Sequence, residues 1–286
     1  MTKTEYLDRI FSTITDVPTL PATVLQVMHS VEDPSCSVAD LSRTIMGDPG
    51  LAAKVLKIAN SPYYGFAAKI GSLPQAVSLL GFATLKNALL SASVFDMFRI
   101  SGIGFDMVGL WKHSVTTATA AKIVARRIHY PNAEKAFTAS LLHDIGKVMI
   151  ARYLPSSLAT VVQSVRNDHL AIYDAEKRAI GLAHPAFGAW VLARWSMPAL
   201  LVEAVEHHHH PTRAQDAFDL SSVIYLSNAI AHRSKIGSGG DDLVREVDPH
   251  ILQYFHIDET AMREMTDAVL RQRLEIETFA ANVASA

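Results

Sequence analysis

The segment Leu141-Leu142-His143-Asp144-Ile145-Gly146-Lys147 places a histidine directly before an aspartate at the predicted end of a helix. Successive helical residues diverge by about 100° around the axis, so two adjacent side chains converge only on an object beside the helix. Imidazole and carboxylate are both ligands of divalent first-row metal ions. We expect Gly146 to let the chain turn away with a positive φ. Lys147 either faces an anion or is a surface lysine, and the sequence favours the surface position.

A lone His-Asp pair more often forms a hydrogen-bonded helix terminus than a metal site, and the placement of the other histidines changes that balance. Four of them lie at the edges of helix-like apolar patterns, and metal sites in helical proteins are assembled from such scattered helices. Within the run His207–His210 the register is uncertain by one residue. The four histidines are His113, His184, His208 and His209.

Composition limits the class of protein. The chain has 286 residues, of which 49% are hydrophobic and 19% charged, so it has enough apolar residues for a substantial core and is long enough for roughly two domains. A net charge of −2 argues against a nonspecific nucleic-acid surface. The single cysteine excludes an intrachain disulfide and a cysteine zinc cluster. A charged start and the lack of an apolar run near about 20 residues lead us to expect a cytoplasmic protein outside the membrane.

Repeated helical spacing of apolar residues, clear capping signals and the absence of strand alternation predict an all-α protein of about a dozen helices. The segment Ser101-Gly-Ile-Gly104 is the predicted linker between residues 1–104 and 105–286. A short helix is expected within 1–15, one or two helices within 258–286, and a mobile loop at Gly237–Gly240.

The chain resembles a known family in both halves. The order of His113, His143-Asp144, His184 and His208-His209 is similar to the HD phosphohydrolase superfamily. Four segments of the first half narrow the resemblance to the HDOD family, and it covers roughly residues 15–235. It implies an N-terminal helical HDOD module packed on an HD-like helical domain with a C-terminal helical extension. The four segments are Leu20-Pro21, Asp48-Pro49, Lys57–Gly65 and Leu79–Gly81.

The resemblance also implies a metal site, with two departures from the enzymatic pattern. Asn228 stands where HD enzymes usually supply a last aspartate, and a neutral amide oxygen is a weaker ligand. Thr212 and the residues after it replace the Gly-Tyr-Pro motif of the related HD-GYP phosphodiesterases, which disfavours cyclic-di-GMP hydrolysis of that type. The implied cofactor is a divalent transition metal (Fe, Mn, Zn or Ni), with one ion, two or none. The implied ligands are His113, His143, Asp144, His184, His208 and His209, with Asn228 as a weak ligand.

Two functions remain open at this point. The favoured one is a bacterial signal-transduction or regulatory protein that contacts a signalling partner, with little or no catalysis, because Asn228 replaces the aspartate. The alternative is a metal-dependent phosphohydrolase, a phosphodiesterase or nucleotide hydrolase, in which Asp144 and Lys147 are catalytic. Oxidative chemistry at a di-iron HD site is a third, smaller possibility, and a homodimer is compatible with the sequence.

Overall fold

The computed structural model describes residues 3–12, 18–102, 104–241, 243 and 246–284, and these residues contain helices and loops but no strand. The all-α prediction is confirmed. Residues 1, 2 and 13–15 of the predicted first helix, Ile103 of the linker and the last two residues of the tail lie outside the described residues. The helices are α1 (Lys3–Ser12), α2 (Ala22–Ser30), α3 (Val38–Met46), α4 (Pro49–Ala59), α5 (Leu73–Leu80), α6 (Phe82–Phe95), α7 (Met107–Arg127), α8 (Ala133–Leu142), α9 (Ile145–Tyr153), α10 (Pro155–Asp168), α11 (Ile172–Ile180), α12 (His184–Arg194), α13 (Ala199–Glu206), α14 (Phe218–Ser234), α15 (Pro249–Tyr254), α16 (Glu259–Arg271) and α17 (Arg273–Ala284).

Residues 1–104 and 105–286 of the predicted division are called the first and the second module. In the first module, three helices begin at the predicted caps. The Ser37 side chain accepts a hydrogen bond from the backbone N–H of Asp40, whose carboxylate in turn accepts from the Ser37 backbone. Asp48 caps α4 in the same way, with Pro49 at the first helical position, and Ser72 caps α5. Each cap satisfies a backbone donor that the helix leaves unpaired, which fixes where the helix begins.

The second module is built around α7, which packs against α8, α14, α16 and α17. Asp106 caps α7, and a run of small residues in the second half of the helix lets its neighbours approach closely. Helix α12 packs on both α9 and α13, which places the start of α12 beside the His143-Asp144 junction. The sequence patterns did not predict α9, which begins at Ile145 directly after this junction.

The C-terminal helix joins the two modules. Helix α17 packs against α4, α6 and a short 3-10 helix (Pro62–Tyr64) of the first module and against α7 of the second. The rings of Phe279 and Tyr63 have centroids 4.7 Å apart, and the Trp111 indole Nε1–H donates to the Ala280 carbonyl at 3.2 Å. One hydrophobic core therefore continues across the predicted boundary at residue 104 and includes residues of both modules.

Among the described residues, no individual helix has the length and apolarity to cross a membrane, and one strongly bent pair, Leu73–Leu80 with the segment 82–98, meets the same criteria only when its two parts are taken together.

The continuous core predicts that the modules stay associated after the linker is cut. We expect a chain cleaved at a protease site inserted after Gly102 to elute from gel filtration as one particle in native buffer, because α17 remains packed on α4 and α6. A Phe279→Ala variant, which loses a buried ring at this junction, should dissociate at a lower urea concentration. Separate elution of the two wild-type fragments in native buffer would contradict a shared core.

Candidate metal centre

Four different parts of the second module bring the predicted ligands together. His113 lies on α7, His143 and Asp144 form the junction of α8 and α9, His184 begins α12, and the turn after α13 carries the remaining two. Their ligand atoms form two groups, and within each group all of these atoms lie within 4.8 Å of one another. The first group is His184, His208 and His209, and the second is His113, His143 and Asp144.

The first group contains only imidazoles. His184 Nε2 lies 3.4 Å from His208 Nε2 and 3.1 Å from His209 Nε2. Metal–nitrogen bonds of about 2.0–2.1 Å would place two nitrogens on one ion about 2.9–3.4 Å apart at octahedral or tetrahedral angles. The observed separations match that range. His208 is completely buried and His209 half-buried, whereas His210 is exposed.

The second group is built around the Asp144 carboxylate. Its Oδ2 atom lies 3.3 Å from His143 Nε2 and 3.7 Å from His113 Nε2. Its Oδ1 atom lies 3.2 Å from His184 Nε2 and therefore faces the first group. Asp144 thus stands between the two groups, with one oxygen directed at each.

Hydrogen bonds on the far sides of the rings determine which nitrogen carries the proton. His143 Nδ1 lies 2.7 Å from the Ser140 carbonyl, and His208 Nδ1 lies 2.6 Å from the Val205 carbonyl. A carbonyl oxygen can only accept, so both Nδ1 atoms are the protonated ones. In the neutral form of each ring, Nε2 therefore presents its lone pair to the interior of the centre, as metal ligands do.

Glu176 gives His184 the same tautomer and is a residue that the sequence analysis missed. Its Oε2 atom accepts from both the backbone N–H and the Nδ1–H of His184, at 2.7 and 2.6 Å. The Glu176 side chain is buried on α11, eight residues before His184. A carboxylate that orients a ligating histidine and raises its basicity is common behind metal ions in proteins. No local pattern around Glu176 distinguishes it from an ordinary polar residue of an amphipathic helix.

The structure contradicts the surface interpretation of Lys147. This side chain is only 4% exposed, and its Nζ donates to Asp144 Oδ2 and to the Gly239 carbonyl, each at 2.7 Å. The loop Gly237–Gly240, predicted to be mobile, is packed against the centre: the Ser238 N–H donates to the Gly109 carbonyl at 3.0 Å. Lys147 therefore connects the centre to this loop.

Helix α14 contacts the second group through His232, and the predicted weak ligand Asn228 lies on the same helix. The His232 ring is 4.9 Å from the His113 ring, a contact that the sequence analysis missed. Asn228 precedes His232 by one helical turn on the same face, is 8% exposed, and its Oδ1 atom has no hydrogen-bond partner among the described residues. Asn228, the predicted weak ligand, is therefore buried with an unpaired Oδ1 atom. That this atom binds a metal ion remains a prediction.

The charge states of three groups are set by the interior. Burial lowers the pKa of His113 well below its ordinary value, and the nearby His232 lowers it further. Burial also lowers the pKa of His208, with His143 and His184 adding to the effect. Burial alone would raise the pKa of Asp144, but its contacts with His143, Lys147 and His184 outweigh burial and hold that pKa well below the usual range. The carboxylate is therefore ionised and the two imidazoles are neutral near pH 7.

Gly146 has a different role from the predicted one. It lies in the first turn of α9 and has no positive φ. A Cβ atom at this position would come within 1.9 Å of the His184 carbonyl oxygen and 2.7 Å of the Gly188 backbone nitrogen. The glycine is needed for the close crossing of α9 and α12, because this crossing places His184 beside Asp144.

The buried polar atoms of the centre fit a bound cation. His113 Nε2, His143 Nε2 and Asp144 Oδ1 have no hydrogen-bond partner, and unpaired buried polar atoms cost free energy. His184 Nε2 and Asp144 Oδ1 face each other at 3.2 Å, and in a neutral His184 ring that carries its proton on Nδ1 both of these atoms are acceptors. Two lone pairs in this arrangement repel each other unless a cation lies between them. Imidazoles with one carboxylate suit zinc, iron, nickel or manganese better than calcium.

Comparison with known proteins gives one family and a set of similar folds. The model of the HDOD domain family matches residues 17–211. A protein of Treponema pallidum (strain Nichols) without an assigned function is 23% identical over 272 residues, which are 93% of this chain and 51% of that protein. The chain therefore spans about half the length of this relative.

Three crystal structures share the fold over nearly the whole chain. An HDOD domain protein of unknown function from Geobacter sulfurreducens has a TM-score of 0.77 and 23% identity, with 98% of this chain and 93% of that chain covered. A proposed phosphohydrolase from Shewanella amazonensis has a TM-score of 0.76 and 22% identity, covering 97% of both chains. A proposed signal transduction protein from Marinobacter aquaeolei has a TM-score of 0.82 and 21% identity, covering 98% of this chain and 65% of that chain.

The contact at Gly146 predicts a large effect from one methyl group. We expect Gly146→Ala to lower the free energy of unfolding by at least about 3 kcal/mol, because backbone atoms of α12 cannot move aside as a flexible side chain would. Urea unfolding followed by circular dichroism measures this change. Gly50→Ala is the matched control: its Cβ would meet only Asp48 Oδ1 at 3.5 Å, and we expect a change within about 1 kcal/mol. Equal effects of the two substitutions would contradict the tight α9–α12 crossing.

Proposed function

The chain belongs to the HDOD family, and from this membership and the closed histidine centre we propose that it is a regulatory protein that binds a transition metal and acts through contact with a signalling partner. Hydrolysis is weak or absent in this proposal. The supporting comparison is the fold shared with the Marinobacter aquaeolei protein, whose description is a proposed signal transduction protein.

The observation that carries the proposal is the closure of the centre. His143, His184 and His208 are 0% exposed, and His113 and Asp144 are 1% exposed. Gly239 is buried, and its carbonyl accepts a hydrogen bond from the Lys147 ammonium, which lies beside the Asp144 carboxylate. A phosphate ester needs to approach a metal-bound nucleophile directly, and the burial of these five side chains restricts that approach. A metal held in this way is suited to stabilising one conformation of the module.

Charge supports the binding of a cation. The centre buries the carboxylates of Asp144 and Glu176 and the ammonium of Lys147. When the imidazoles are neutral, these three side chains carry one net negative charge. An uncompensated charge in the interior is costly, and a divalent ion would compensate it.

One observation favours the alternative, a metal-dependent phosphohydrolase. A cavity of about 450 Å³ lies beside His113 and is also lined by His232, Lys235 and Ser238. The Shewanella amazonensis protein of the same fold is described as a proposed phosphohydrolase. A bound metal would supply a hydroxide nucleophile at neutral pH. In this alternative, Asp144 would orient the ion, and Lys147 would have to leave Asp144 before it could face a phosphate.

Metal analysis tests the proposal. We expect protein purified without chelators or a nickel column to contain a first-row metal by inductively coupled plasma mass spectrometry. The double variant His184→Ala/His208→Ala should hold less than about a tenth of that amount, because it loses two facing imidazoles, while circular dichroism remains helical. His250→Ala, an exposed histidine outside the centre, should keep the wild-type content.

The same samples separate regulation from hydrolysis. Bis-p-nitrophenyl phosphate, nucleotides and cyclic dinucleotides should not be turned over by the metal-loaded wild type. Turnover that is lost in an Asp144→Asn variant would replace the regulatory proposal with the phosphohydrolase. A wild type that stays metal-free after reconstitution would show that the histidines are structural.

The substitution Asn228→Asp tests the role of the missing carboxylate. We expect it to bind metal about tenfold more tightly, because the substitution adds a buried negative charge one helical turn from His232, and this charge attracts a cation in the centre even if it is not a direct ligand. Competition with a chromophoric chelator measures the affinity. Asn167→Asp, at an exposed position of α10, is the matched control and should leave the affinity unchanged. An unchanged affinity in Asn228→Asp would show that a carboxylate at this position does not contribute to metal binding.

A further inference from the structure

The two oxygens of the Asp144 carboxylate have different surroundings. Oδ2 accepts a hydrogen bond from the Lys147 ammonium at 2.7 Å. Oδ1 has no hydrogen-bond partner and lies 3.2 Å from His184 Nε2. The carboxylate is therefore already neutralised on the side of His113 and His143, and it is free on the side of the three imidazoles.

The Lys147 ammonium has the position and contacts of a bound cation. Its two acceptors, Asp144 Oδ2 and the Gly239 carbonyl, are oxygen atoms at 2.7 Å, and the side chain is buried. The Nε2 atoms of His113 and His143 lie 3.7 and 3.3 Å from the same Oδ2 atom. A metal ion bound to this oxygen and these two nitrogens would be adjacent to the ammonium, and two cations in one dry interior repel each other strongly.

We infer that the chain binds one metal ion per protomer, held by His184, His208, His209 and Asp144 Oδ1, and that Lys147 takes the place of a second ion. This inference rests on the metal centre of the proposed function and adds its stoichiometry and the cause of that stoichiometry. The four ligands form a three-imidazole, one-carboxylate set of the kind that zinc and iron accept. Glu176 and the Val205 carbonyl hold two of the three rings in the ligating tautomer.

The surrounding backbone keeps Lys147 in place. Lys147 lies in the first turn of α9, three residues after Asp144, and from this position its ammonium contacts both the carboxylate and the Gly239 carbonyl. On the other side, the loop that supplies Gly239 is fixed to α7: Ser238 N–H donates to the Gly109 carbonyl, and Thr116 Oγ1 donates to the Ile236 carbonyl at 3.2 Å. A Cβ at Gly237 would lie 2.4 Å from the His113 backbone nitrogen, which shows how closely the loop and the helix are packed. A second ion would have to displace both the ammonium and this loop.

Metal stoichiometry tests the inference. Chelator-treated full-length protein is dialysed against excess Co²⁺, and bound metal is measured by mass spectrometry and by the visible absorption of Co²⁺ during titration. We expect wild type to saturate at one equivalent. Lys147→Met, which removes the charge, should saturate at two equivalents, and Lys147→Arg, which keeps it, at one. Lys69→Met removes an exposed lysine as the matched control and should stay at one.

A second neutral variant covers a failure of Lys147→Met to fold. Lys147→Gln keeps a side-chain N–H donor for the Gly239 carbonyl and should also saturate at two equivalents. Two equivalents in wild type, or one equivalent in both neutral variants, would overturn the inference and leave the metal centre of the proposed function standing. A wild type that binds no Co²⁺ would overturn both.

Discussion

The centre depends on the positions of a few protons. In three rings the Nδ1 atom faces an oxygen that can only accept a hydrogen bond. This oxygen is a backbone carbonyl for His143 and His208 and the Glu176 carboxylate for His184. Each ring is therefore fixed in orientation, and its Nε2 atom points into a buried interior. The ring nitrogens have to lie at bonding distance from a cation or a hydrogen-bond donor. The helices and turns that carry the rings can therefore shift very little relative to one another. The same constraint explains the glycine in the first turn of α9 and the burial of Lys147.

Packing around α7 makes the centre and the first module parts of one structure. His113 is on this helix, and two residues earlier Trp111 contacts Phe95 and Phe98 of the first module with ring centroids 5.3 and 5.4 Å away. Trp111 also donates to the C-terminal helix. These packed side chains form a contiguous physical connection between α7 at the centre and the first module.

A polar contact between the modules adds to this coupling. Asn87 of α6 donates to the Glu134 carboxylate at 2.7 Å and accepts from the Thr138 hydroxyl, both on α8. Helix α8 ends one residue before His143. The first module thus contacts the segment that presents the His-Asp pair both through a hydrophobic core and through oriented hydrogen bonds. Buried polar contacts of this kind favour one relative position of two helices over others, because displaced partners would stay unsatisfied.

Local patterns in the sequence determined the all-α class, the caps at Ser37, Asp48 and Ser72, and the six His and Asp residues that the structure gathers into two groups. These features depend on residue types at short spacing, which helix geometry converts directly into faces and ends. The order of those residues along the chain carried the resemblance to the HDOD family and its superfamily, and that resemblance implied that they form one set of metal ligands.

Only the tertiary structure decided what surrounds those residues. Glu176 and His232 lie on helices whose patterns are those of ordinary amphipathic or buried helices, and nothing at short range shows that they face the centre. Lys147 has the sequence context of a surface lysine, yet a loop that begins 90 residues later covers it and supplies one of its two acceptors. Burial and partners at such separations depend on how helices pack, whereas the periodicity of one segment specifies only which of its faces is apolar.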